Sequence, residues 1–66
     1  MTPAELKHYR KSLGLSVEAF ARAVGVMAGR TVRRWEDGTR DIPGPVIVLL
    51  ELAKKSQTLR RKIFTV

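Results

Sequence analysis

The chain has 66 residues, which is enough for one small domain, since independently folding domains usually need about 50 residues or more. Apolar residues make up 44% of the chain, which excludes a disordered tail, and the absence of cysteine excludes disulfides and thiolate metal sites. Thirteen Lys and Arg against six Asp and Glu give a net charge of +7, which favours a polyanionic partner, either nucleic acid or an acidic membrane surface.

The first predicted helix begins after Thr2 and ends at Gly14. The sequence TPAE at positions 2–5 matches a capping box, in which side chains at both ends satisfy otherwise unpaired backbone N–H groups. Leu6, Tyr9 and Leu13 follow at helical spacing and form one apolar stripe. This helix is therefore expected to pack one face against a core.

The second predicted helix begins at Ser16, a good N-cap residue, and ends at Gly25. Its buried face is expected to consist of Phe20, Ala21 and Val24. A turn marked by glycine then leads to another short helix. This order is typical of a helix-turn-helix over residues 16–38.

The third predicted helix has no polar residue at its start, so Ala28 or Gly29 must cap it without a side-chain acceptor. Val32 and Trp35 are its inward-facing residues, and Gly38 ends it. Three arginines point away from this buried pair: Arg30, Arg33 and Arg34. A helix with one apolar and one cationic side can dock on a core and meet an anion at once.

The fourth predicted helix runs from about Pro45 to Lys55, and its apolar surface is wider than one stripe. Val48 and Leu52 extend that surface, so another part of the structure must cover them. Residues 56–66 form either a short fifth helix capped by Ser56 or a basic tail. Two interpretations remain open: the segment folds back over the exposed pair through Leu59, Ile63 and Phe64, or the pair forms a dimer interface.

Several stretches together resemble one known family: LGLS at 13–16, AVGV at 23–26, RTVRRWEDG at 30–38 and IPGPV at 42–46. They resemble the phage-repressor (Cro/cI, or xenobiotic-response-element) helix-turn-helix family over residues 3 to about 55. The resemblance and the helix pattern predict a single domain over residues 1–66. Its fold is expected to be all-α, a compact lambda-repressor-like domain of four to five helices.

The resemblance also implies contacts with double-stranded DNA. It places four residues of the third helix where the family reads base edges: Gly29, Arg30, Arg34 and, nearby, Arg33. The chemistry agrees, because an arginine presents a planar fork that matches O6 and N7 of guanine. It implies phosphate contacts by Thr31 and Arg40, to which Arg22 and Ser16 are candidate additions. Arg10 and Glu36 match a partly buried ion pair that joins the first helix to the end of the third.

Three features depart from the family pattern. One additional residue lies between Val26 and Thr31, and Met27-Ala28 replaces the usual polar N-cap. Val17 stands where a glutamine often opens the second helix.

No enzyme is predicted, because no serine has a partner base, and Glu18 and Glu51 have no spacing that suits acid–base catalysis. One histidine without cysteine makes no metal site, and neither a cofactor nor a small-molecule ligand is indicated. A membrane partner is disfavoured, because the positive charge lies on several helices that also carry core residues. The longest apolar run, residues 45–50, is far below the about 20 residues of a membrane span.

The leading hypothesis is a cytoplasmic, sequence-specific transcriptional regulator of phage or mobile-element character that associates with the nucleoid when bound to DNA. It would repress as a homodimer on a pseudo-palindromic operator. The alternative is a protein-interaction module, such as an antitoxin or antiactivator, that binds a partner protein through Val48, Leu52 and the tail.

Overall fold

The residues that the structure describes form five α-helices in chain order: α1 (Pro3–Ser12), α2 (Val17–Ala23), α3 (Gly29–Glu36), α4 (Gly44–Lys55) and α5 (Gln57–Phe64). The structure is a computed structural model that describes residues 1–26 and 28–64. Strands are absent from these two ranges, and the predicted all-α fold of four to five helices is confirmed. Within the same ranges, no helix is long and apolar enough to cross a bilayer. Met27 lies in the turn that is predicted to be one residue longer than usual, and it is outside the described residues. The last two residues of the 56–66 segment are outside them as well.

Polar side chains begin three of the helices as the sequence predicts. At α1, the backbone N–H of Thr2 donates to Glu5 Oε1 at 2.7 Å, and the Glu5 N–H donates to Thr2 Oγ1 at 3.1 Å. The hydroxyls of Ser16 and Ser56 each accept a backbone N–H from the first turn of α2 and α5. Of the two alternatives for the C-terminal segment, the capped helix is therefore the correct one.

The turn between α2 and α3 is closed by Gly25, whose φ of 85° lies in the left-handed region that favours glycine. The N–H of Val26 donates to the carbonyl of Ala21 at 2.9 Å, which satisfies an acceptor at the end of α2. This geometry directs the chain back across α2, so that α3 packs closely on it.

The core lies between all five helices. The largest fully buried side chains come one each from α1, α2, α3 and α4: Leu6, Phe20, Val32 and Leu50. Phe64 at the end of α5 completes the core, with its ring stacked on Phe20 at 5.5 Å and edge-on to Tyr9 at 6.2 Å between centroids. The fifth helix is therefore part of the hydrophobic core.

The interpretation that the C-terminal segment covers Val48 and Leu52 is wrong. Helix α5 does fold back, but Phe64 enters the core and Ile63 packs at the core's edge, while Leu59 is half-buried. Val48 and Leu52 remain 59% and 51% exposed. Phe64 instead packs against Tyr9 of α1 and Phe20 of α2, and Ile63 lies beside α2.

Candidate nucleic-acid interface

Helix α3 is held by the two residues that its sequence predicts to face inward. Val32 is fully buried and Trp35 is 3% exposed. The helix begins after Ala28, which forms no side-chain capping hydrogen bond, as expected from the apolar residues at this position. The opposite side of α3 is left free to carry charge.

An ion pair joins α1 to the last residue of α3. Arg10 Nε donates to Glu36 Oε2 at 2.6 Å, and Arg10 Nη2 donates to Glu36 Oε1 at 3.1 Å. Only 11% of the Arg10 side chain and 8% of the Glu36 side chain are exposed. A further bond from Arg10 Nη1 reaches the carbonyl of Leu15 at 2.9 Å. The hydrogen bonds to Glu36 raise the pKa of Arg10 above its ordinary value, so the guanidinium stays charged.

The three arginines of α3 are all exposed, but their surroundings differ. Arg33 Nη2 donates to Glu18 Oε2 on α2 at 2.7 Å. Arg30 and Arg34 form no ion pair with any other described residue, and they lie one helical turn apart. The hydrogen bonds that Thr39 donates lower the pKa of Asp37, and the charge of Arg34 contributes to this shift. Two of the three guanidinium groups are therefore available to an external acceptor.

Gly29 is buried, whereas the sequence places it among the residues that face DNA. The reason is Glu18, whose Oε2 lies 2.5 Å from the position that a Cβ on Gly29 would take. The close approach that a glycine permits here is made by a carboxylate of the same chain.

The expected phosphate-contacting residues fall into separate groups. A shallow cleft beside Trp35 is lined by Thr31, Arg34, Arg40 and the acidic residue Asp41. The backbone N–H of Arg40 also donates to the carbonyl of Arg34 at 3.2 Å. Arg22 lies elsewhere, in a depression between α2 and α5. The structure therefore brings Thr31, Arg34 and Arg40 together, but not Arg22.

Ser16, the fourth expected phosphate contact, already accepts a hydrogen bond as the N-cap of α2. It is exposed, so its hydroxyl proton can still be donated outward.

Sequence reasoning misses Glu18 as a part of this surface. A signal was present, because Glu18 lies in the first turn of α2, and a glycine follows the residue that begins the next helix without a polar cap. An acidic side chain and an opening without a Cβ on two crossing helices indicate a contact between them.

Comparison with protein-family models agrees with the helical arrangement described above. No significant match was found among curated proteins or among solved structures. A family model described as a helix-turn-helix domain matches residues 4–61, which is most of the chain. The protein therefore belongs to the helix-turn-helix domain family, whose members are DNA-binding domains.

Proposed function

We propose that this protein is a sequence-specific transcriptional regulator that inserts α3 into the major groove of DNA. The observation that carries the proposal is the pair of exposed arginines, Arg30 and Arg34, on a helix whose other side is fixed by buried residues. Each guanidinium fork fits O6 and N7 of a guanine, and such a contact discriminates between bases by about 1–3 kcal/mol. Membership of the helix-turn-helix family supports the same placement.

Phosphate contacts would fix the position of α3 on the duplex. Thr31 and Arg40 line one cleft with Arg34, which supports a phosphate-binding edge beside the reading residues. Ser16 and Arg22 would contact the backbone from α2. The net charge of +7 adds a general attraction to the duplex.

The finer part of the proposal is a repressor of the Cro/cI type, in which residues 1–66 act as one domain in the cytoplasm, at the nucleoid. Two copies would bind half-sites about one helical turn apart, roughly 34 Å. Occupation of promoter DNA would then be the means of repression.

Val48 and Leu52 are the proposed contact between the two copies. They lie one turn apart on α4, and both are more than half exposed. Burying the exposed half of each side chain would contribute about 1 kcal/mol, or about 4 kcal/mol over the four side chains of a two-fold dimer. Association costs at least about 4 kcal/mol of lost translational and rotational freedom, so this burial alone would not hold a dimer free in solution, and the dimer would form on adjacent half-sites.

The test begins with selection of bound sites from random DNA, followed by a gel shift on the selected site. We expect a symmetric site, and we expect Arg30→Ala combined with Arg34→Ala to abolish its specific binding. The matched control is Lys7→Ala combined with Lys11→Ala, which removes the same charge from two exposed positions one turn apart on α1. If no sequence is enriched, or if the α3 variant and the control bind equally well, the proposal fails.

A second candidate is favoured by one observation, the exposed apolar pair on α4. The same fold would then bind a partner protein through Val48 and Leu52, as an antitoxin or antiactivator does. The two candidates separate in the gel shift, because a protein-interaction module would select no DNA site. A DNA-bound complex that dissociates steeply with salt, by about 0.9 in log–log slope for each neutralised phosphate, favours the regulator.

A further inference from the structure

The first turn of α3 carries a contact that DNA recognition by Arg30 and Arg34 does not use. The Glu18 carboxylate lies over Gly29, with Oε2 at 2.5 Å from the position of an added Cβ. The same oxygen accepts a hydrogen bond from Arg33 at 2.7 Å. One carboxylate of α2 therefore meets both the start of α3 and one of its three arginines.

We propose that Glu18 determines specificity by holding Arg33 against α2, away from the DNA. The inference rests on the proposed DNA-binding function. It divides the arginines of α3 into two that read bases, Arg30 and Arg34, and one that is neutralised within the protein.

Two attractions keep the carboxylate in place. One is the ion pair with Arg33, and the other is the positive end of the α3 dipole, where no side chain caps the helix. Gly29 makes the second attraction possible, because any larger residue would push the carboxylate away. The glycine therefore leaves room for the Glu18 carboxylate at the start of α3.

The effect on recognition follows from charge. An unpaired Arg33 would bind phosphates of any sequence and would strengthen non-specific binding. The pair of Arg33 and Glu18 has no net charge, so on our proposal it releases no counterion from the DNA phosphates. The pair therefore raises the ratio of specific to non-specific affinity.

The experiment compares Glu18→Gln with Glu51→Gln. Both variants remove one exposed carboxylate that forms an ion pair, but Glu51 pairs with Lys54 on α4, outside the helix-turn-helix. Affinity for the selected site and for random DNA is measured over a range of salt. For Glu18→Gln we expect the log–log slope of random-DNA affinity against salt to be steeper by about 0.9. The affinity of the variant relative to the wild type should then rise about 8-fold for each tenfold fall in salt. The ratio of specific to random affinity should fall, whereas Glu51→Gln should leave it unchanged.

Two further variants distinguish positioning from a general loss of charge. Arg33→Gln should leave the salt slope for random DNA nearly unchanged in the wild type, although the unpaired Glu18 carboxylate lowers the affinity, and it should cancel the steeper slope in the Glu18→Gln background. Gly29→Ala should change the salt slope in the same direction as Glu18→Gln but by less, because the added Cβ displaces the carboxylate while the charge of the protein stays the same. Thermal unfolding would verify that each variant is folded.

The possible outcomes are distinct. A wild-type protein that selects no DNA site overturns the proposed function and this inference together. A wild type that binds its site, with Glu18→Gln and Glu51→Gln indistinguishable in slope and ratio, overturns this inference alone.

Discussion

Removing either partner of the Arg10–Glu36 ion pair should destabilise the protein strongly. Arg10 reaches both oxygens of Glu36 and the carbonyl of Leu15, and both charged side chains are about nine-tenths buried. Glu36→Gln would leave a buried guanidinium without a counter-charge. Arg10→Met would leave a buried carboxylate and a carbonyl without donors. Breaking one side of such a pair costs about 3–5 kcal/mol.

That cost is large for a chain of this size. At about 0.05–0.15 kcal/mol per residue, the whole protein has about 3–10 kcal/mol of stability. Replacing both partners by apolar residues, Arg10→Met with Glu36→Leu, should cost much less than the sum of the single changes, since no buried charge remains. We therefore expect a coupling energy of at least about 2 kcal/mol between the two positions.

Urea unfolding followed by tryptophan fluorescence would measure these energies, because Trp35 is the single tryptophan and is buried next to Glu36. The pKa of Arg10 is raised in the folded state, so its contribution to stability is complete at neutral pH and is lost only as the pH rises through the folded value. Measurements at pH 7 are insensitive to this titration. The control is Glu51→Gln, which breaks an exposed pair with 3.7 Å between charges and should cost under about 1 kcal/mol. The reasoning would be refuted if Glu36→Gln and Glu51→Gln lowered the free energy of unfolding equally. It would also be refuted if the effects of Arg10→Met and Glu36→Leu on that free energy were additive.

Three further predictions concern other parts of the molecule. Leu52→Glu should leave binding to a single half-site intact but abolish cooperative binding to the full site, as titration of both DNAs in a gel shift would reveal. Phe64→Ala should cost about 3–5 kcal/mol in urea unfolding, because its ring is buried between two other aromatic rings; a loss under 1 kcal/mol would mean that α5 is dispensable. Hydrogen bonds from Thr2 lower the pKa of Glu5, so its contribution to stability is present above about pH 4.5 and is lost as the pH falls through the lower folded value. Glu5→Gln should therefore flatten the acid side of the stability profile, and an unchanged profile would contradict this.

Local signals in the sequence predict most of the helices. Thr2 and Ser16 begin helices because their hydroxyls accept backbone N–H groups within the next turn, and such a bond needs no distant partner. The periodicity of Val32 and Trp35 likewise identifies the buried side of α3. These features depend on neighbouring positions, so the sequence alone was sufficient for them.

Contacts between distant residues were harder to predict. The apolar surface of α4 and the apolar residues after Ser56 were plausible partners by composition. The structure shows that Phe64 fits the gap beside Tyr9, a matter of three-dimensional shape. Glu18 and Arg33 are 15 positions apart, and their contact depends on the angle at which α3 crosses α2. That angle is set by the turn and by the whole core, neither of which a local pattern describes.

Two carboxylate–arginine pairs thus hold α3, one to α1 and one to α2, and their burial predicts different consequences when they break. Arg10–Glu36 is buried and ties the last turn to α1, so its loss should appear in the free energy of unfolding. The pair between Glu18 and Arg33 leaves 51% and 60% of the two side chains exposed, so its loss should change stability by under about 1 kcal/mol. On our proposals, its effect appears only when DNA is present, as a change in the ratio of specific to non-specific affinity. Orientation of the reading helix and selectivity of its arginines are therefore separable, and each can be removed by a substitution that leaves the other in place.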